Sequence, residues 1–154
     1  MKPLPESVAE FLAGRRIVVA GVSRNPRHFA NAIFRKLHDL GYEVMALNPN
    51  AEEVEGFSSY PSLAAVPGPI DSVLAAMHPR YGKQLVEDAA ARGVGRIWFH
   101  RFLGRGSVSA EAVGECRSRG IRCIIGGCPL MYVPSADRFH HFCRWLLGDP
   151  GRAA

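Results

Sequence analysis

The residues best able to do chemistry gather at bends: Gly21-Val22-Ser23-Arg24, Asn48-Pro49, Met77-His78-Pro79, His100-Arg101 and Gly127-Cys128-Pro129. The first bend is the most informative. An apolar run, Arg16-Ile17-Val18-Val19-Ala20, climbs to Gly21 and breaks into a polar, basic turn ending at Arg27. A helical pattern follows from about His28. Strand, tight turn and helix form the entry of a nucleotide-binding α/β unit. The glycine lets the backbone turn sharply and a ligand come close. N–H groups at the start of a helix favour an anion. Ser23 adds a hydroxyl, and Arg24 and Arg27 add positive charge. A phosphate site is expected here.

A nicotinamide or flavin dinucleotide would call for G-x-G-x-x-G and an acidic residue about twenty positions on. This chain has Gly21 but Ser23 and Pro26 where the later glycines belong, and its second strand ends in Asn48-Pro49 rather than a carboxylate. An NAD(P)-binding oxidoreductase is therefore an alternative, not the first reading. The bland reading of Ser23 is a helix cap and that of Asn48-Pro49 a strand-ending turn. Cys128, after two glycines, would be a nucleophile only if its pKa were lowered. Cys116 and Cys123 read as core residues, and all four cysteines as reduced thiols of a cytoplasmic protein. His100, Cys128, His140, His141 and Cys143 are metal-ligand types, but no fourth ligand is evident and no metal is expected. No Ser-His-Asp order, phosphate-binding loop of the Walker type or paired carboxylates stand out, so no catalytic residue is assigned.

These bends need elements to place them. Helices are expected over residues 4–14, 28–40, 81–91, 109–118 and 136–147. Apolar strands are expected at 16–20, 42–47, 72–77, 96–100 and 121–125, with residues 51–69 loop-rich and one helical turn near 62–65. Strands that alternate with helices and read as continuous apolar runs make a parallel sheet covered on both faces. The fold class is thus α/β, a three-layer doubly wound Rossmann-like fold with a five-stranded parallel sheet. The ligand in such a sheet lies beyond the carboxyl ends of the strands.

At 154 residues the chain has the length of one domain, expected over 1–150, with a flexible tail at 151–154. Its net charge of +5 suits an anionic ligand, but no Lys/Arg run or nucleic-acid module is present, so nucleic acid is not expected. Residues Met1–Glu6 lack the apolar core of a signal peptide, and no apolar run approaches the ~20 residues that span a bilayer.

The segments VVAGVSRNP, GYEVMALNPN, VEGFSSYPSL and CPLMY resemble the small stand-alone CoA-binding proteins, whose fold is that of the CoA-binding domain of the succinyl-CoA synthetase α subunit. The likeness spans roughly residues 10–132. It implies binding of coenzyme A or an acyl-CoA, extended across the strand ends. Gly21, Val22, Ser23 and Arg24 would wrap the diphosphate, with Arg27 a further phosphate contact. Asn48 and Pro49 would flank the nucleotide, Met77 and Pro79 would line the next wall, and Cys128 with Pro129 the last. The chain departs from the family at Phe99-His100-Arg101-Phe102, where a glutamine-containing exit is usual, and after Cys128-Pro129, where an acidic residue usually follows. The synthetase's phosphorylated histidine and ATP-binding partner belong to other domains, so synthetase activity is not expected. The readings carried forward are non-covalent CoA binding, a thiol/CoA-disulfide protein using Cys128, and a homodimer or a subunit serving a separate catalytic chain.

Overall fold

The computed structural model describes residues 3–134 and 138–153. Among the described residues eight strands run in chain order: β1 (Arg16–Ala20), β2 (Glu43–Leu47), β3 (Glu53–Val54), β4 (Phe57–Tyr60), β5 (Ser72–Ala75), β6 (Arg96–Phe99), β7 (Arg122–Ile125) and β8 (Gly151–Ala153). Helices α1 (Glu6–Ala13), α2 (Phe29–Asp39), α3 (Gly82–Ala91), α4 (Ala110–Ser118) and α5 (Arg138–Leu147) lie among them. Ala136, the expected start of α5, lies outside the described residues. The sheet order is β3-β4-β2-β1-β5-β6-β7-β8.

The expected α/β class holds, but the sheet is mixed and larger than five strands. From β4 to β7 all neighbours are parallel, whereas β3 and β8 add antiparallel at the two edges. Counting only the parallel strands in chain order gives 3-2-1-4-5-6, the order of the doubly wound dinucleotide folds. The missed third strand is β4. It is delivered by a hairpin within the stretch read as loop. Val54 pairs with Phe57, leaving Glu55 and Gly56 as a two-residue turn, both at positive φ (54° and 76°). At the other edge, Gly151–Ala153 was expected to fray and instead pairs with Ile125–Cys123.

β1 is the centre of the packing. Ile17 and Val19 face a core built with α1, α2 and Cys143 of α5; Val18 and Ala20 face a second core built with α3 and α4. All four side chains are fully buried. The helix α2 is buried through Ala30, Ile33, Phe34 and Leu37, whereas Phe29 is exposed. On α5 only Cys143 is buried. Cys116 of α4 and Cys123 of β7, expected as reduced thiols, are joined as a disulfide that ties the helix to the sheet. This removes the compositional argument for a reducing compartment.

Asp71 fastens the loop before β5 to the start of β1, accepting from the Arg15 and Arg16 amides at 2.8 and 2.9 Å. Those two backbone hydrogen bonds, with the Arg16 and Arg96 charges, hold its carboxyl below the ordinary 3.8. The unfolded chain therefore takes up this proton first as pH falls, so the contribution is complete above about pH 4 and is lost below it. Asp71→Asn is expected to lower unfolding free energy at pH 7 by about 1 kcal/mol, the group being mostly solvated. Urea unfolding at pH 7 and pH 3 should show this deficit shrinking at the lower pH.

Candidate functional site

The strand exits on both sides of β1 form the site. Gly21 opens it at φ +111°, and a Cβ there would sit 2.2 Å from the Ala76 carbonyl oxygen. Only glycine allows β1 to turn this close to the end of β5. Beyond it lies a cleft of about 480 Å³ lined by Gly21, Leu47, Asn48, Pro49, Asn50, Pro61, Met77 and, from the α3 side, Tyr81, Gln84, Leu85 and Asp88. The structure thus brings together four of the expected site residues, Gly21, Asn48, Pro49 and Met77. Pro79 lines a separate depression with His78, Arg80 and Arg105. Pro129 is buried in a short 3-10 turn.

Asn48 has a structural task as well as a place in the cleft. Its Nδ2 donates to the Val22 carbonyl (2.9 Å) and its Oδ1 accepts from the Asn50 amide (2.8 Å). The first bond links the end of β2 to the turn after β1. The α3 contribution was not foreseen. Gln84 Nε2 donates to Asp88 Oδ1 (2.9 Å), and the Arg80 guanidinium lies 4.6 Å from the centre of the exposed Tyr81 ring. Their signal in the sequence was only a helix beginning just after a strand exit.

The turn from Val22 to Arg27 is tightly knotted. The Ser23 amide donates to Asn31 Oδ1 (2.8 Å), the Asn25 amide to Ser23 Oγ (3.0 Å) and the Arg27 amide to Asn25 Oδ1 (3.0 Å). His28 caps α2 by accepting from the Ala30 amide. These donors are engaged within the chain, so the turn's attraction for an anion rests chiefly on the exposed Arg24 and Arg27 side chains.

Asn31 holds the knot and was not singled out in the sequence. It is fully buried. Its Nδ2 donates to the Ser23 carbonyl and to Glu55 Oε1, both at 2.7 Å. Glu55 also accepts from Arg35 at 2.7 Å. The carboxylate of Glu55, whose backbone is left-handed in the hairpin turn, is thereby bonded to the helix that follows the basic turn.

On the other face of the sheet edge lies a second cavity of about 400 Å³, reached by α2 and α5 and containing Cys128 and His100. Burial, with His28 nearby, pushes the buried His100 imidazole down to about 4, so it is neutral at pH 7. Its ring stacks on Phe29 at 4.7 Å. Burial pushes the Cys128 thiol up to about 12. A thiol so rarely ionised is a poor nucleophile, which weighs against the disulfide reading. Among the described residues no group of three His, Cys, Asp or Glu side chains is placed to hold a metal ion. Nor, among them, is any helix long and apolar enough to cross a membrane.

A family model described as "CoA binding domain" matches residues 15–134, from the first residues of β1's approach through the Cys128-Pro129 bend. The chain belongs to this CoA-binding domain family. Uncharacterized protein YneT of Bacillus subtilis is 33% identical over 72 residues, which are 46% of this chain and 53% of that protein. The α subunit of an ADP-forming acetate–CoA ligase II from Pyrococcus furiosus is 29% identical over 85 residues, 54% of this chain but 19% of that one. This CoA-binding domain therefore aligns with about half of one relative and a fifth of the other. A hypothetical protein from Pyrococcus horikoshii OT3 has the same fold, with a TM-score of 0.74 and 26% identity over 84% of this chain and 93% of that one.

Asn31→Ala would leave the Ser23 amide without its acceptor and the Glu55 carboxylate without one donor. A loss of about 1–3 kcal/mol of stability is expected, the usual range for an unsatisfied buried polar group. Urea titration checks it; an unchanged midpoint would contradict the assigned role.

Proposed function

We propose that the chain binds coenzyme A or an acyl-CoA non-covalently, as a single binding domain that assigns no catalytic residue of its own. The observation that carries this reading is the pairing of the Gly21–Asn48–Met77 cleft with the basic Arg24–Arg27 turn at its edge. CoA presents a diphosphate and a 3′-phosphate beside a ribose and adenine. In this reading Gly21, Val22 and Ser23 let the diphosphate come close to the backbone, and Arg24 and Arg27 supply its countercharge. Asn48 and Pro49 flank the nucleotide. Met77 gives an apolar wall and Pro79 extends it, while Cys128 and Pro129 close the far end. The absence of a carboxylate at the end of β2 leaves room for a phosphate-bearing ribose, where an acid would repel it.

Calorimetry with CoA, NAD and NADP tests the reading. CoA should bind and the dinucleotides should not. Arg24→Ala should weaken CoA binding by about 1.5–3 kcal/mol, the range for a charge-assisted hydrogen bond. Clear NAD(P) binding without CoA binding would favour the oxidoreductase alternative.

One further feature supports a partnered state. Along α5, Phe139, Phe142, Trp145 and Leu146 are between 53% and 77% exposed, a large apolar strip for a surface helix. We read it as a contact face, either for a second copy or for a separate catalytic chain, as the similarity to a ligase α subunit suggests. Sedimentation of the purified protein separates the two. A dimer that Trp145→Glu reduces to monomer supports the first, and a monomer in both proteins supports the second.

A further inference from the structure

The second cavity differs in character from the first. Phe29, Ile33, Phe102, Leu103, Leu130 and Phe139 supply most of its wall, and among the described residues no lysine, arginine or carboxylate lines it. Phe29, Leu103 and Phe139 are respectively 43%, 75% and 59% exposed, so apolar surface stands uncovered around the opening. Uncovered apolar surface of this kind marks a binding groove. Its polar lining consists of Cys128, His100 and, from α5, the half-buried His140. The thiol of Cys128 is buried, and the buried Nδ1 of His100 makes no hydrogen bond among the described residues.

Its place in the fold names an occupant. Gly21 lines the first cleft, and Phe29, at the start of the helix that ends the same turn, lines the second cavity. The Arg24–Arg27 turn therefore runs from one to the other. The second cavity also sits at the exits of β6 and β7, where His100 and Cys128 stand. A ligand with its phosphates at the turn and its nucleotide in the first cleft has its other end directed here. We propose, on the basis of the CoA reading, that this cavity takes the unbranched apolar acyl chain of a CoA thioester. A neutral imidazole offers one N–H and one lone pair. The thioester oxygen is an acceptor for an N–H of His100, whose ring lines the cavity. Among the described residues a dicarboxylic acyl group finds no lysine or arginine in this wall, so its carboxylate would enter a mostly apolar site without a permanent countercharge.

Calorimetry across CoA, acetyl-CoA, butyryl-CoA, hexanoyl-CoA and succinyl-CoA tests the inference. Affinity should rise about fourfold for each methylene that becomes buried between acetyl and hexanoyl. Succinyl-CoA should bind more weakly than butyryl-CoA, which has the same number of acyl carbons. Ala32→Trp, which places a bulky ring in the cavity from the exposed side of α2, should flatten the chain-length dependence. CoA binding with an affinity indifferent to chain length would overturn the acyl cavity and leave the CoA reading standing. No binding of CoA or of any thioester would overturn both.

Discussion

The Asn31 side chain is the interaction on which the site's shape depends. It lies fully buried at the start of α2 and satisfies both the amide and the carbonyl of Ser23. Its remaining donor reaches Glu55, which Arg35 also grips. One amide group thus fixes the turn after β1 to the hairpin that carries β4. A buried amide with this many partners stabilises only when all are present, because each orphaned group would pay its desolvation in full. The same contacts help to hold Glu55 in a left-handed conformation that a non-glycine residue adopts at some cost. The turn after β1 is accordingly a preorganised element, with Arg24 and Arg27 left as its exposed charges.

Around this knot the sheet order does the rest. Placing β1 between β2 and β5 brings Gly21, Asn48 and Met77 to one edge. Crossovers to both faces then put α3 behind one cavity and α2 with α5 behind the other. Gly21 is the point where the backbones of β1 and β5 come too close for any side chain. Two cavities of different polarity, separated by a basic turn, suit a ligand whose parts differ in the same way. The apolar wall of the second cavity suits an apolar group, and the raised ionisation point of the buried Cys128 thiol weighs against thiolate chemistry there.

Much of this was legible in the sequence because it rested on local signals. β1 and its glycine, the Asn48-Pro49 strand end and the alternation of apolar strands with helices depend on propensity and turn chemistry. What escaped depended on contacts distant in the chain. β4 contains Ser58 and Ser59 and pairs with β2 over only two residues, Ala46 with Ser59 and Leu47 with Tyr60. Its hairpin has glutamate where asparagine or aspartate would announce the turn. β8 is short and exists by pairing with the edge of β7. Asn31 carries no signal of its own in the sequence, because its role depends on the Ser23 backbone and the distant Glu55. The Cys116–Cys123 bond and the apolar cavity beside His100 likewise emerge only when separate elements meet.

The central claim is that the turn from Gly21 to Arg27 cradles the diphosphate of CoA. A crystal structure of the protein with CoA tests it most directly. The diphosphate should lie beside Ser23, Arg24 and Arg27, with the nucleotide in the cleft lined by Gly21, Asn48 and Met77. Well-defined CoA lying elsewhere on the molecule, with this cleft empty, would contradict it.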